Sequence, residues 1–129
     1  MKKYKLYLFA ALLGMMFTAC EYEFIPADEI PDIPTDEPVS FGTDILPIFS
    51  SGSPQCIQCH KPGSQAPDLT EANAYQSLKG SKYIDEANPE QSYIITHVGP
   101  DSNSHTQRHL SAADVEYIRV WVEQGAENN

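Results

Sequence analysis

The sequence predicts an all-α fold, and three observations predict it. Helix-starting residues recur four times after residue 40, at Thr43, Thr70, Asn88 and Ser111. No stretch alternates apolar and polar residues with the period of a strand. Val115, Ile118, Trp121 and Val122 fall at i, i+3, i+6 and i+7, the apolar stripe of an amphipathic helix.

Each element follows from its own signals. Thr43 is expected to cap a first helix, with Pro47 tolerated in its early turns and Ile45, Leu46 and Phe49 apolar. Thr70 caps a second, which ends near Gly80 and carries Tyr75 and Leu78 on one side. Asn88-Pro89-Glu90-Gln91 reads as cap, first-turn proline and capping-box Gln, and Gly99-Pro100 stops that third helix. Ser111-Ala112-Ala113-Asp114 is another capping box, and Gly125 ends the last helix. The result is four short helices joined by long loops. Such loops are uncommon in a compact domain unless something else organises them, and a body of about 90 residues is small for an unaided core.

Upstream of this body the chain reads differently. Of its 129 residues, the first 19 hold a charged MKKYK and an apolar LYLFAALLGMMFTA, the layout of a secretory signal. The apolar run is shorter than the ~20 residues of a membrane-spanning helix. It ends in FTAC, which resembles a lipoprotein signal, where small residues precede a cysteine that is lipidated and becomes the new N-terminus. That resemblance assigns a lipid anchor to Cys20. The alternative is an ordinary signal cleaved near Ala19, with Cys20 a spare thiol. Residues 21–40 hold four prolines, seven acids and no Lys or Arg, so residues 20–40 read as an extended, self-repelling tether, with wrapping through Phe24 and Ile25 as the alternative. The domain is expected over 41–129. The acidic stretch after Cys20 favours the outer membrane over the inner one.

Charge excludes some partners. After residue 19 the chain carries all 18 acidic residues but only Lys61, Lys79, Lys82, Arg108 and Arg119, a formal charge of −13. Such a surface repels nucleic acid and anionic headgroups. It suits a partner with a basic docking patch, or simply keeps the protein in solution.

The remaining cysteines, Cys56 and Cys59, stand in CIQCH, residues 56–60. C-x-x-C-H is the attachment pattern of c-type haem. Two thiols form thioethers with the two haem vinyl groups, and the adjacent His60 becomes the proximal iron ligand. A zinc site would want further ligands at suitable spacing, and no other cysteine exists downstream. A thioredoxin-like redox pair would want a βαβ context, which is absent from the pattern.

From Phe41 onward the chain resembles the class I cytochrome c family. A helix precedes the CxxCH, and Pro67-Asp68-Leu69 resembles that family's Pro-x-Leu segment. By that resemblance the Pro67 carbonyl accepts from His60, and Leu69 packs on the haem. The last stretch, LSAADVEYIRVWVEQGAENN, resembles the end of the small planctomycete-type cytochromes c. The resemblance also implies that the first and last helices cross, pairing Ile45 or Phe49 with Ile118 or Trp121. The family usually places a distal methionine in the loop before the last helix. Met1, Met15 and Met16 are the only methionines here, and all lie in the signal segment. The loop holds SNSHTQRHLS instead. His105 is the expected replacement, with His109, His97 and an open or water-bound iron as alternatives.

The expected function is one-electron transfer by a single covalent haem c with bis-histidine ligation, not enzymatic turnover. The rivals are a gas-binding or sensory haem protein and a structural module with a vestigial haem. A peroxidase is disfavoured, since no catalytic acid–base pair accompanies the motif.

Overall fold

The computed structural model describes residues 30–34, 36–80 and 82–129. The expectations for the signal segment, for Cys20 and for the tether up to residue 29 lie outside the described residues. Among those that are described, the chain is helical and contains no strand. A π-helical turn, Phe41–Ile45, runs directly into α1, Leu46–Ser50. A 3₁₀ turn follows at Cys56–Gln58, then α2, Ala74–Lys79. A second 3₁₀ turn, Pro89–Gln91, precedes α3, Tyr93–Val98, and α4 spans Ala112–Glu123.

Three helix starts differ from the sequence expectation, each for a local reason. The first helical segment is capped by Ser40, not Thr43. Ser40 Oγ accepts from the Thr43 N–H, and the Asp44 carboxylate accepts from the Ser40 N–H at 2.8 Å, a reciprocal box. Pro47 has no N–H to offer, and the turn ahead of it is the wider kind, with the Leu46 N–H donating to the Phe41 carbonyl. At the second start Asp68 takes the hydrogen bonds. Its Oδ1 accepts from the Thr70 N–H at 3.0 Å and from the Thr70 hydroxyl at 2.6 Å, so regular helix waits until Ala74. At the third, the Asn88 side chain makes no cap bond, Pro89–Gln91 forms one 3₁₀ turn, and the chain restarts after Ser92. The fourth start is as expected: both arms of the Ser111–Asp114 box are formed.

The core lies between the N-terminal helical segment and α4. Ile118, Trp121 and Val122 are buried, and so is Val120, which lies off the expected stripe. Ile45 and Phe49 share their cluster. The ring that meets Trp121 is Phe41, at 5.3 Å between centres, and Tyr75 stands edge-on to Phe41 at 5.4 Å. Trp121 donates to the Glu127 carbonyl, and the Phe41 and Gly42 N–H groups donate to Asn129. The packed body begins ahead of Phe41. Ile33 and Val39 are buried, and Gln124 accepts from the Val39 N–H and donates to the Glu37 carbonyl. Part of the 20–40 span read as a tether from composition is therefore packed onto the body.

Candidate functional site

The loop after α1 is wound tightly enough to present three side chains together. The Cys56 carbonyl accepts from both the Cys59 and His60 N–H groups, at 3.2 and 2.9 Å. This single turn puts Cys56, Cys59 and His60 on the wall of one cavity of about 360 Å³. The two thiols are free, Cys56 half-buried and Cys59 exposed. Burial pushes the Cys56 thiol above its ordinary pKa, and the Arg108 guanidinium beside it opposes that shift.

His60 is oriented by the segment that follows. The Leu69 N–H donates to the His60 carbonyl at 3.0 Å, folding residues 61–68 back on the turn. That closure brings the Pro67 carbonyl to 3.1 Å from His60 Nδ1. A carbonyl only accepts, so Nδ1 carries the proton and the Nε2 lone pair is free. Leu69 is buried and lines the same cavity.

The opposite wall is the loop between α3 and α4. Its neck is closed by the Leu110 N–H donating to the Val98 carbonyl at 2.8 Å. Within the loop Ser102 Oγ donates to the His97 carbonyl, and His109 turns both ring nitrogens to backbone carbonyls, those of Pro100 and His105. His109 is exposed and does not line the cavity. It staples the loop. His105 does line it, and its Nδ1 lies 2.8 Å from the Arg108 carbonyl, so this ring too is held with Nε2 free.

The two rings are close. The centres of His60 and His105 are 6.2 Å apart, and their planes are inclined by 31°. One metal ion held by a nitrogen of each ring, at about 2.0 Å per bond, places ring centres roughly 6 Å apart. His97 lines the cavity as well, but its ring is stacked on Tyr93 at 4.5 Å and meets His105 edge-on at 5.9 Å. Among the described residues no group of three or more His, Cys, Asp or Glu is arranged to hold a bare metal ion.

The remaining walls are apolar, from Phe49, Ile94, Val98 and Leu110, with Tyr83 and Tyr93 at one side. Two cations join them, Lys82 and Arg108, and among the described residues no acidic one lines the cavity. In a chain this acidic, that segregation marks a site suited to a large apolar group bearing negative charge. Lys82 stands 5.0 Å from the Tyr93 ring centre. The sequence motifs missed both cations. The available signal was that they are two of only five basic residues after residue 19.

No family model, no curated protein and no solved structure matches this chain.

Proposed function

We propose that this protein is an extracytoplasmic one-electron carrier. It would hold one haem c through Cys56 and Cys59, with His60 and His105 as axial ligands. The observation that carries the reading is the His60–His105 pair, each ring with Nδ1 on a backbone carbonyl and Nε2 free, across a cavity that also bears both thiols. Two imidazoles are too few for a bare ion. They suffice for iron whose four equatorial positions belong to a macrocycle.

When bound, such a group supplies reversible one-electron chemistry. The chain's residues do the rest. The Pro67 and Arg108 carbonyls fix the tautomer and raise the basicity of the two imidazoles. Phe49, Leu69, Ile94 and Leu110 exclude water, and Lys82 and Arg108 offer positive charge to carboxylates. Imidazole in place of a thioether, with the excess of acids, favours the oxidised state, so the midpoint potential should lie below that of a His/Met cytochrome. The four helices, and the N-terminal segment packed against α4, support a class I cytochrome c fold. The FTAC signal ending supports a lipid anchor on Cys20, the acidic stretch behind it an outer-membrane address, and the acidic surface a redox partner with a basic patch. No helix among the described residues is long and apolar enough to cross a membrane.

The test is acid–acetone extraction of protein made with haem-attachment machinery. Wild type should keep its haem through extraction, and Cys56→Ala with Cys59→Ala should lose it. Haem retained by the double variant sinks the covalent assignment.

A further inference from the structure

Arg108 occupies a position that no motif assigns. Its guanidinium reaches across the cavity rim to the end of α1. Nη1 donates to the Ser51 carbonyl at 2.7 Å and to the Ile48 carbonyl at 3.2 Å, and lies 3.3 Å from Cys56 Sγ. A cation at these carbonyls closes the C-terminus of α1, where the last acceptors have no helical partner. The backbone of the same residue accepts from His105 Nδ1 at 2.8 Å. One residue thus joins the loop of His105 to the helix and cysteine on the other wall. Gly52 leaves it room: with φ +76° and no side chain, it lies where a Cβ would stand 2.7 Å from Arg108 Cζ.

We propose that Arg108 is a positioning residue that holds His105 at the sixth iron position, a role that rests on the haem-binding reading above. The mechanism is a brace. Any residue at 108 keeps the carbonyl that accepts from His105. A side chain bound to the Ile48 and Ser51 carbonyls is what ties that carbonyl to the opposite wall. Without the brace, the segment between the Val98–Leu110 neck and the His109 staple can shift away from the Cys56 turn, and His105 shifts with it. His105 would then withdraw from His60, while Cys56, Cys59 and His60 would still hold the haem.

The experiment uses the haem-loaded protein, with Arg108→Gln and the milder Arg108→Lys. Lys79→Met is the control; it removes contacts to the Gly125 carbonyl and Glu86 and leaves the cavity wall intact. Three readouts are taken: haem surviving acid–acetone extraction, the ferric spin state, and the rate of carbon monoxide binding to the ferrous protein. All variants should keep their haem. In Arg108→Gln a high-spin fraction should appear and carbon monoxide binding should speed up at least tenfold, since the loss of even one charge-assisted hydrogen bond is worth about that factor. Arg108→Lys should fall between, and it carries the test alone if Arg108→Gln does not accumulate. Lys79→Met should match wild type even where it lowers thermal stability. The brace is overturned if the Arg108 variants keep the wild-type spin state and rate, or if Lys79→Met moves these readouts equally. Wild type that loses its haem on extraction overturns the covalent haem reading, and wild type that keeps its haem but is high-spin from the start overturns the bis-histidine ligation; either takes the brace with it.

Discussion

At the scale of single residues, the four histidines fall into three states, and their contacts sort them. His60 and His105 each bond a carbonyl through Nδ1 and keep Nε2 for a ligand. His109 has both nitrogens facing carbonyls and sits outside the cavity. His97 is held by stacking on Tyr93. Alanine at each distal candidate should therefore give unequal results. His105→Ala should convert a six-coordinate, low-spin ferric spectrum to high-spin. His97→Ala and His109→Ala should stay low-spin, because neither removes the paired ring. A high-spin His109→Ala beside a low-spin His105→Ala would reverse the assignment. The grouping of Cys56, Cys59 and His60 on one turn was legible from the chain, since these residues are neighbours. Spacing before Leu110 favoured His105 over His109 and His97, but only the loop's closure showed that its ring faces His60.

At the scale of elements, the helices are too short to stand alone. α1 has five residues, and α2 and α3 have six each. Isolated helices shorter than about 12–15 residues are marginal in water, so their helicity rests on packing. Much of that packing faces the cavity, whose walls include Phe49, Leu69, Ile94 and Leu110. Burying a large apolar side chain is worth about 1.5–3 kcal/mol, and these four lose part of it when the cavity opens to water. The protein made without haem-attachment machinery should therefore show weak helical circular dichroism and rapid proteolysis. A cooperative unfolding transition in that apoprotein would count against haem-dependent folding. Helix ends with a reciprocal box in sequence, Ser111 to Asp114, were legible. The starts at Ser40, Ala74 and Tyr93 were not: Asp44 reaches back to the Ser40 N–H, Asp68 takes the Thr70 N–H, and Ser92 Oγ accepts from the Asp85 N–H instead of capping its own helix.

At the scale of the whole molecule, the packed body is anchored at both of its described ends. Val39 is bracketed by Gln124, and Asn129 takes the first N–H groups of the N-terminal helical segment. The body itself carries no apolar helix long enough for a bilayer. On the lipoprotein reading proposed above, membrane attachment would rest on the lipid at Cys20. Cys20→Ala should move the protein to the soluble fraction after cell lysis without altering its haem spectrum. If the variant stays with the membranes, a partner protein holds it there.

By itself the sequence determined the helical class, the last helix with its capping box, and the Cys56-Ile57-Gln58-Cys59-His60 turn. These are local, set by residues a few positions apart whose backbone and side chains satisfy one another. It also carried the His60–Pro67 contact, through resemblance to a known segment. Only the tertiary structure decided that His105 faces His60, that Phe41 is the ring on Trp121, that the body begins before Phe41, and that Arg108 ties two walls together. Each of these joins residues far apart in the chain, Arg108 to Ile48 and Val39 to Gln124 among them. Such contacts depend on how loops close, and loop closure here is set by single backbone bonds such as Leu110 to Val98, which no side-chain pattern announces.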